Sequence, residues 1–126
     1  MVASAVIVRD FSFSCVVDDS KKMTPQKRQV AFDEIMSKCV VGVGVVDTPV
    51  IDRINIFQAS LRAMEEAVGK LAEMPDCILV DGPKTPSLPF QQFAIVDGDA
   101  LSFSIACASV IAKVTRDRMM DYYDDI

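Results

Sequence analysis

The stretch ILVDGPKTPSLPFQQFAIVDGDALSFSIACASVIAKVTRDR, residues 78–118, contains two apolar runs that each lead to an aspartate. Asp81 closes the run CILVD, and Asp99 closes FAIVDGD. Short apolar runs bounded by glycine and proline predict β-strands. Because ligand sites in α/β proteins lie beyond the carboxyl ends of strands, the two aspartates are candidates for one shared site.

Two roles for Asp81 and Asp99 remain open from the residues alone. Two carboxylates that meet repel each other, and a hard cation such as Mg²⁺ relieves that repulsion and supports phosphodiester hydrolysis. Aspartate at the end of a strand also commonly forms a turn or caps a helix. The pairs Asp81-Gly82 and Asp97-Gly98 both have the composition of turns.

Two basic groups are candidates for contacts with a phosphate backbone. Lys113 and Arg116 lie one turn apart on a predicted helix whose other residues are mostly small. Lys21 and Lys22 belong to the segment DSKK, which precedes another predicted helix. For both groups, a solvated surface is the alternative interpretation.

The rest of the sequence alternates between predicted strands and helices, which indicates one α/β domain over residues 1–126 with a mostly parallel centre. One helix is predicted to begin at an N-cap, Thr24, followed by Pro25. The other predicted elements are strands at Val2–Val8 and Val40–Asp47, a helix at Asn55–Met74 and one long helix from Leu101 to Tyr122. The glycines of GVGVVD, residues 42–47, lack the third glycine of a dinucleotide fingerprint and are expected inside a packed strand.

Composition narrows the classes of function. The chain contains 51% hydrophobic and 25% charged residues, and its apolar runs are too short for a membrane span. With no basic leader before the first apolar run and four cysteines outside any C-x-x-C clip, a cytoplasmic location is expected. The absence of histidine excludes Ser-His and Cys-His nucleophiles. A net charge of −5 argues against a whole-surface grip on nucleic acid.

Four segments in order, DDSKKMTPQKR, INIFQASLRAMEEAV, ILVDGPKTPSLP and VDGDALSFSIACASVIAKVTRDRMM, resemble type 2 ribonuclease H, also called ribonuclease HII. The resemblance implies a ribonuclease H-like three-layer α/β fold, with a central mixed sheet flanked by helices. It implies a metal-dependent endonuclease that hydrolyses the RNA strand of RNA–DNA hybrids and cuts at ribonucleotides embedded in DNA. In that family four acidic residues bind Mg²⁺ or Mn²⁺.

By motif, Asp81 and Asp99 match two of the four acids and are expected to be catalytic metal ligands. By the same analogy, the nucleic-acid contacts are expected to be Lys21, Lys22, Lys113 and Arg116.

The chain departs from the family pattern at both ends. The family's first strand, its Asp-Glu pair and its Gly-Arg-Gly turn are expected before Met1, and its C-terminal helices after DYYDDI. With two of four acids, little turnover is expected from this chain alone, and a non-catalytic nucleic-acid-binding or purely structural fragment is the alternative. Without the first strand, an exposed sheet edge is expected to favour self-association. Asp97 adds a negative charge that is expected to raise the pKa of Asp99 or to weaken the approach of substrate.

Overall fold

The computed structural model describes residues 1–124, and within them the side chains of residues 1–47 and 55–122. Strands and helices alternate in the order β1, α1, β2, α2, β3, β4, α3, α4, which confirms the α/β class. Their bounds are β1 Val2–Ile7, α1 Pro25–Lys38, β2 Val40–Val45, α2 Thr48–Gly69, β3 Cys77–Asp81, β4 Gln91–Ile95, α3 Gly98–Leu101 and α4 Phe103–Asp124. A single 3₁₀ turn, Ser20–Lys22, precedes α1 and is called the basic turn below.

The four strands form two separate pairs. β1 pairs with β2 in antiparallel register, from Val2 opposite Val45 to Ile7 opposite Val40. β3 pairs with β4 in parallel register. The expectation of a mostly parallel centre is therefore wrong for β1 and β2, whereas a mixed arrangement is correct. Valine-rich runs have the same periodicity in either direction, so their composition carries no information about strand direction.

Helices cover both faces of the β1–β2 pair. Helices α1 and α4 pack on one face around a core of fully buried residues, Ala31, Ile35, Cys107, Val110 and Ile111. Helix α2 packs on the other face through its own buried alanines, Ala59, Ala63 and Ala67. A Cβ added at Gly42 or Gly44 would overlap a carbonyl oxygen of α2. These glycines therefore lie in a packed strand, as predicted, and allow the helix backbone to approach closely.

Helix α1 begins after its predicted cap, and the main part of α2 begins at Asn55, where the predicted helix starts. Thr24 Oγ1 accepts a hydrogen bond from the Lys27 amide at 3.2 Å, and Pro25 occupies the first turn. Asn55 has a left-handed backbone (φ 70°), and its Oδ1 accepts from the Gln58 amide at 3.0 Å. Helical backbone nevertheless continues before this kink to Thr48, and α2 ends at Gly69 rather than at the predicted Met74.

The predicted long C-terminal helix is present as α4, and it begins two residues later than the predicted start at about Leu101. The chain forms the short helix α3, becomes extended at Ser102 (φ −133°, ψ 126°), and begins α4 at Phe103. Ser102 Oγ accepts from the Ile105 amide at 3.3 Å, so a serine that favours helix caps interrupts the helical pattern. Among the described residues, no helix is both long and apolar enough to cross a membrane.

Candidate metal and nucleic-acid site

Asp81 and Asp99 meet at the carboxyl end of β3. Asp81 is the last residue of that strand, and its Oδ1 accepts a hydrogen bond of 3.0 Å from the Gly98 amide. Asp99 directly follows Gly98 in the sequence and lies in the first turn of α3. Burial and then the Asp81 carboxylate raise the pKa of Asp99. The structure therefore brings together the two aspartates that the sequence selected.

Turn formation and metal binding, the two roles considered for these aspartates, are compatible with each other at Asp81. The bond from Gly98 to Asp81 is a local contact that joins the end of β3 to the start of α3. It leaves the Asp81 side chain exposed to solvent, so the carboxylate is not enclosed by its turn. Asp97 occupies the N-cap position of α3 but makes no capping hydrogen bond.

The predicted influence of Asp97 on Asp99 stays a prediction. After burial, the largest contributions that raise the pKa of Asp99 come from Asp81 and then Asp19. Asp97 is exposed, so water screens its charge even though it lies two residues away in sequence.

Asp19 is the residue at this site that sequence reasoning missed. Its carboxylate is, after that of Asp81, the next charge that raises the Asp99 pKa, while the nearby Lys21 ammonium lowers it. Asp19 also caps the basic turn, because its Oδ1 accepts from the Lys21 amide at 3.0 Å. The signal lay in DSKK itself, where an aspartate before a serine and two lysines is a good turn cap.

The basic turn is held against the helices by buried contacts. Ser20 is 3% exposed, and its Oγ lies 2.8 Å from Ser109 Oγ on α4. The Ser20 carbonyl accepts a bond of 2.9 Å from the Arg28 guanidinium on α1. These contacts fix Lys21 beside Asp99 and leave Lys22 exposed to solvent.

Lys113 and Arg116 line the same cavity as Asp81, from the side of α4. Ile105, which contacts Gly98 beside Asp81, is eight residues before Lys113 on α4. That separation is about 12 Å along a helix. Lys113 Nζ also lies 3.0 Å from Asp117 Oδ1, so its charge is partly neutralised. Among the four predicted basic contacts, Lys21 is the one whose charge lowers the pKa of Asp99.

The oxygen ligands present fit a hard cation with few protein ligands. Within the side chains that the structure describes, no group of three cysteine, aspartate or glutamate residues is suitably placed to hold a metal ion. The repelling pair Asp81 and Asp99 nevertheless matches the usual donor set of Mg²⁺, which takes one or two carboxylates and completes its shell with water and phosphate oxygens.

Comparison with known families decides the relationship. The model of the ribonuclease HII family matches residues 1–126. The chain belongs to the ribonuclease HII family. Ribonuclease HII of Geobacter metallireducens is 54% identical over 126 residues, which are 98% of this chain and 59% of that protein. Ribonuclease HII of Geobacter sulfurreducens is 52% identical over 127 residues, with 100% and 58% coverage.

The chain thus spans less than three fifths of the length of these ribonuclease HII relatives. The crystal structure of the ribonuclease H2 from Pyrococcus horikoshii OT3 is similar, with a TM-score of 0.71 and 22% sequence identity. The similarity covers 99% of this chain and 76% of that one. It confirms the predicted ribonuclease H-like fold.

Proposed function

We propose that this chain carries part of the active site of a divalent-metal-dependent endonuclease. The enzyme would hydrolyse the RNA strand of RNA–DNA hybrids and cut at ribonucleotides embedded in DNA. The observation that supports this function is the meeting of Asp81 and Asp99 at the end of β3, with Lys21 beside them. Membership of the ribonuclease HII family supplies the substrate class.

Asp81 and Asp99 are the residues that would hold Mg²⁺ or Mn²⁺. A cation bound there would lower the pKa of a water molecule and neutralise charge on the phosphate. The chain's own contribution is orientation, because the Gly98 amide holds the Asp81 carboxylate beside the residue that carries the second one. A bound cation would relieve the repulsion between the Asp81 and Asp99 carboxylates, which is one cause of the raised Asp99 pKa. This relief would favour cation binding.

Lys21 and Lys22 would contact the substrate backbone from the fixed basic turn. Lys21 is the nearer of the two to the acidic residues, so it would meet a phosphate close to the scissile bond. Lys113 and Arg116, about 12 Å and about 17 Å along α4 from Ile105, would contact phosphates further along the same duplex. A local patch of this kind is compatible with a net charge of −5, because phosphate contacts act over about one Debye length.

Nucleic-acid binding without cleavage is the second candidate function. It is favoured by the lack of a three-ligand metal group among the described side chains, which predicts weak metal affinity for residues 1–126 by themselves. Under either function we place the protein in the cytoplasm, which is supported by four free cysteines, none of them paired in the described structure.

Metal binding and cleavage are tested separately. Electron paramagnetic resonance of free Mn²⁺ gives the affinity of the chain and of its D81N, D99N and D97N variants. We expect D81N and D99N each to weaken Mn²⁺ binding by at least about tenfold. D97N is the matched control, since it removes an exposed carboxylate two residues away, and its affinity should be unchanged. Equal affinities for all four proteins would refute the assignment of the ligands.

Cleavage is measured on a labelled DNA duplex that contains one ribonucleotide, with Mg²⁺ or Mn²⁺. We expect little or no cleavage by the 126-residue chain, because two carboxylates leave much of the metal shell to water. Salt-sensitive binding of the uncleaved duplex would support the second candidate function. Efficient cleavage that D99N leaves unchanged would contradict the proposed role of this site.

A further inference from the structure

The basic turn is held only weakly by its own backbone. The Lys22 amide donates to the Asp19 carbonyl at 2.9 Å. The Met23 amide reaches the Ser20 carbonyl only at 3.4 Å, which is long for a hydrogen bond between backbone groups. The hydrogen bonds of a 3₁₀ turn are poorly aligned in any case. The position of this turn therefore depends on contacts with the neighbouring helices.

Arg28 supplies the short bond that the Ser20 carbonyl lacks within the turn. Its guanidinium donates to that oxygen at 2.9 Å, from helix α1. A hydrogen bond from a charged donor is about twice as strong as one between neutral groups. From the other side, Ser109 on α4 pairs with the Ser20 hydroxyl at 2.8 Å. Buried Ser20 is thus held by two helices, and the contact with Arg28 is the charged one.

The peptide group that joins Ser20 to Lys21 is bonded at both of its polar atoms. Its carbonyl oxygen accepts from Arg28 at 2.9 Å, and its N–H donates to Asp19 Oδ1 at 3.0 Å. Because a peptide group is planar, fixing both atoms fixes the orientation of the whole plane. The Cα of Lys21 is the next atom of that plane. Arg28 therefore helps to set where the exposed Lys21 side chain begins and which way it leaves the turn.

We propose that Arg28 is a positioning residue, which holds Lys21 in place for a substrate phosphate through the Ser20 carbonyl. The inference rests on the proposed function, in which Lys21 contacts the nucleic-acid backbone. Ordering a flexible lysine at a phosphate costs conformational entropy. A turn that is already fixed before the duplex arrives leaves less to be ordered on binding, and this preorganisation raises affinity. Arg28 acts through the peptide group and does not itself touch the duplex.

The fold does not depend on Arg28, so its role can be tested by substitution. Its side chain is half-buried, whereas the residues of α1 that are fully buried in the core are Ala31 and Ile35. Within the part of the chain that the structure describes, the guanidinium forms no ion pair with a carboxylate. Helix α1 should therefore form without Arg28, while the basic turn loses its link to that helix.

The salt dependence of duplex binding counts phosphate contacts, since each contact adds about 0.9 to the slope of log affinity against log salt concentration. The 126-residue chain is titrated into the labelled duplex with one ribonucleotide, without divalent metal, between about 50 and 200 mM salt. We expect Lys21→Met to lower the slope by about 0.9. Arg28→Met should lower it by about the same amount with Lys21 intact, and the double variant by about 0.9 rather than about 1.8.

Two matched variants separate position from charge, and one measurement needs no nucleic acid. Lys27→Met removes an equal charge from the adjacent, exposed position of α1 and should leave the slope unchanged. Arg28→Lys keeps the charge but not the planar fork, so it should recover only part of the loss, and it replaces Arg28→Met if that variant unfolds. In the free chain, Arg28→Met should speed amide hydrogen exchange at Lys21 and Lys22 at least about fivefold, whereas Lys27→Met should not.

Three results would overturn the inference. The first is an Arg28→Met slope equal to that of the parent while Lys21→Met lowers it. The second is a double variant that loses about 1.8, because Arg28 would then contact a phosphate itself. The third is unchanged amide exchange in Arg28→Met. If Lys21→Met leaves the slope unchanged, or the chain does not bind the duplex, the phosphate contact of the proposed function fails, and the exchange measurement alone decides whether Arg28 holds the turn.

Discussion

Substitution of Gly44 by alanine tests the contact that sets the position of α2 on the sheet. The added Cβ would overlap the Ala63 carbonyl oxygen and lie 2.7 Å from the Ala67 backbone nitrogen, where ordinary contact begins at 3.4 Å. The obstacle is helix backbone, which cannot rotate aside as a flexible side chain would. Helix α2 would have to move outward by about 0.7 Å or more, which loosens its buried alanines from the sheet.

The expected cost lies at the upper end of the range for overpacking, about 3 kcal/mol. An unfolding entropy of about 2.1 cal/mol/K per residue converts this into a fall in melting temperature of about 11 °C for 126 residues. Thermal unfolding followed by circular dichroism at 222 nm measures the change. Gly69→Ala is the control, since nothing lies within 4 Å of its added Cβ at the end of α2.

Gly69→Ala should raise the melting temperature by about 2–4 °C, because alanine is about 0.5–1 kcal/mol more favourable than glycine in a helix. A Gly44→Ala protein that melts within 1 °C of the parent would refute the close approach of α2 to β2. So would a Gly69→Ala protein that loses as much stability as Gly44→Ala.

Three further predictions concern other parts of the molecule. The Lys38 ammonium, followed by Ser14, lowers the pKa of Glu34 to about 2. The folded-state pKa lies below the ordinary 4.5, so this stability is present above that pH and lost as the pH falls toward 2. Glu34→Gln should therefore lower the melting temperature at pH 7, and the melting temperatures of variant and parent should converge near pH 2. A difference in melting temperature that stays constant with pH would contradict this. Burial raises the pKa of Cys107 to about 12, whereas Cys77 is exposed, so Ellman's reagent at pH 8 should modify Cys77 in the folded protein and Cys107 only after unfolding. Ser109→Ala leaves the buried Ser20 hydroxyl of the basic turn unpaired and should lower the free energy of unfolding in urea by about 1–3 kcal/mol. A loss below about 0.5 kcal/mol would contradict this.

Local features of this fold were predictable because local physics produces them. The cap of α1 at Thr24 was identified from sequence, because a short polar side chain there meets free amides; Asn55 was identified only as the start of a helix, and the structure shows that it also caps one. The split between α3 and α4 was missed because apolar periodicity runs across Ser102, and only the extended backbone there interrupts it. Strand direction was missed for β1 and β2 because periodicity is the same in both directions.

The sequence by itself determined the family, the α/β class and the two aspartates that end their apolar runs, since these depend on residue order and local pattern. Only the tertiary structure decided that the Asp19 charge acts on Asp99 across 80 residues and that Lys113 pairs with Asp117. It also decided that a cavity of about 610 Å³ lies between β1 and β3. Charge coupling and edge pairing depend on distance in space, and helix packing sets that distance between residues that are remote along the chain.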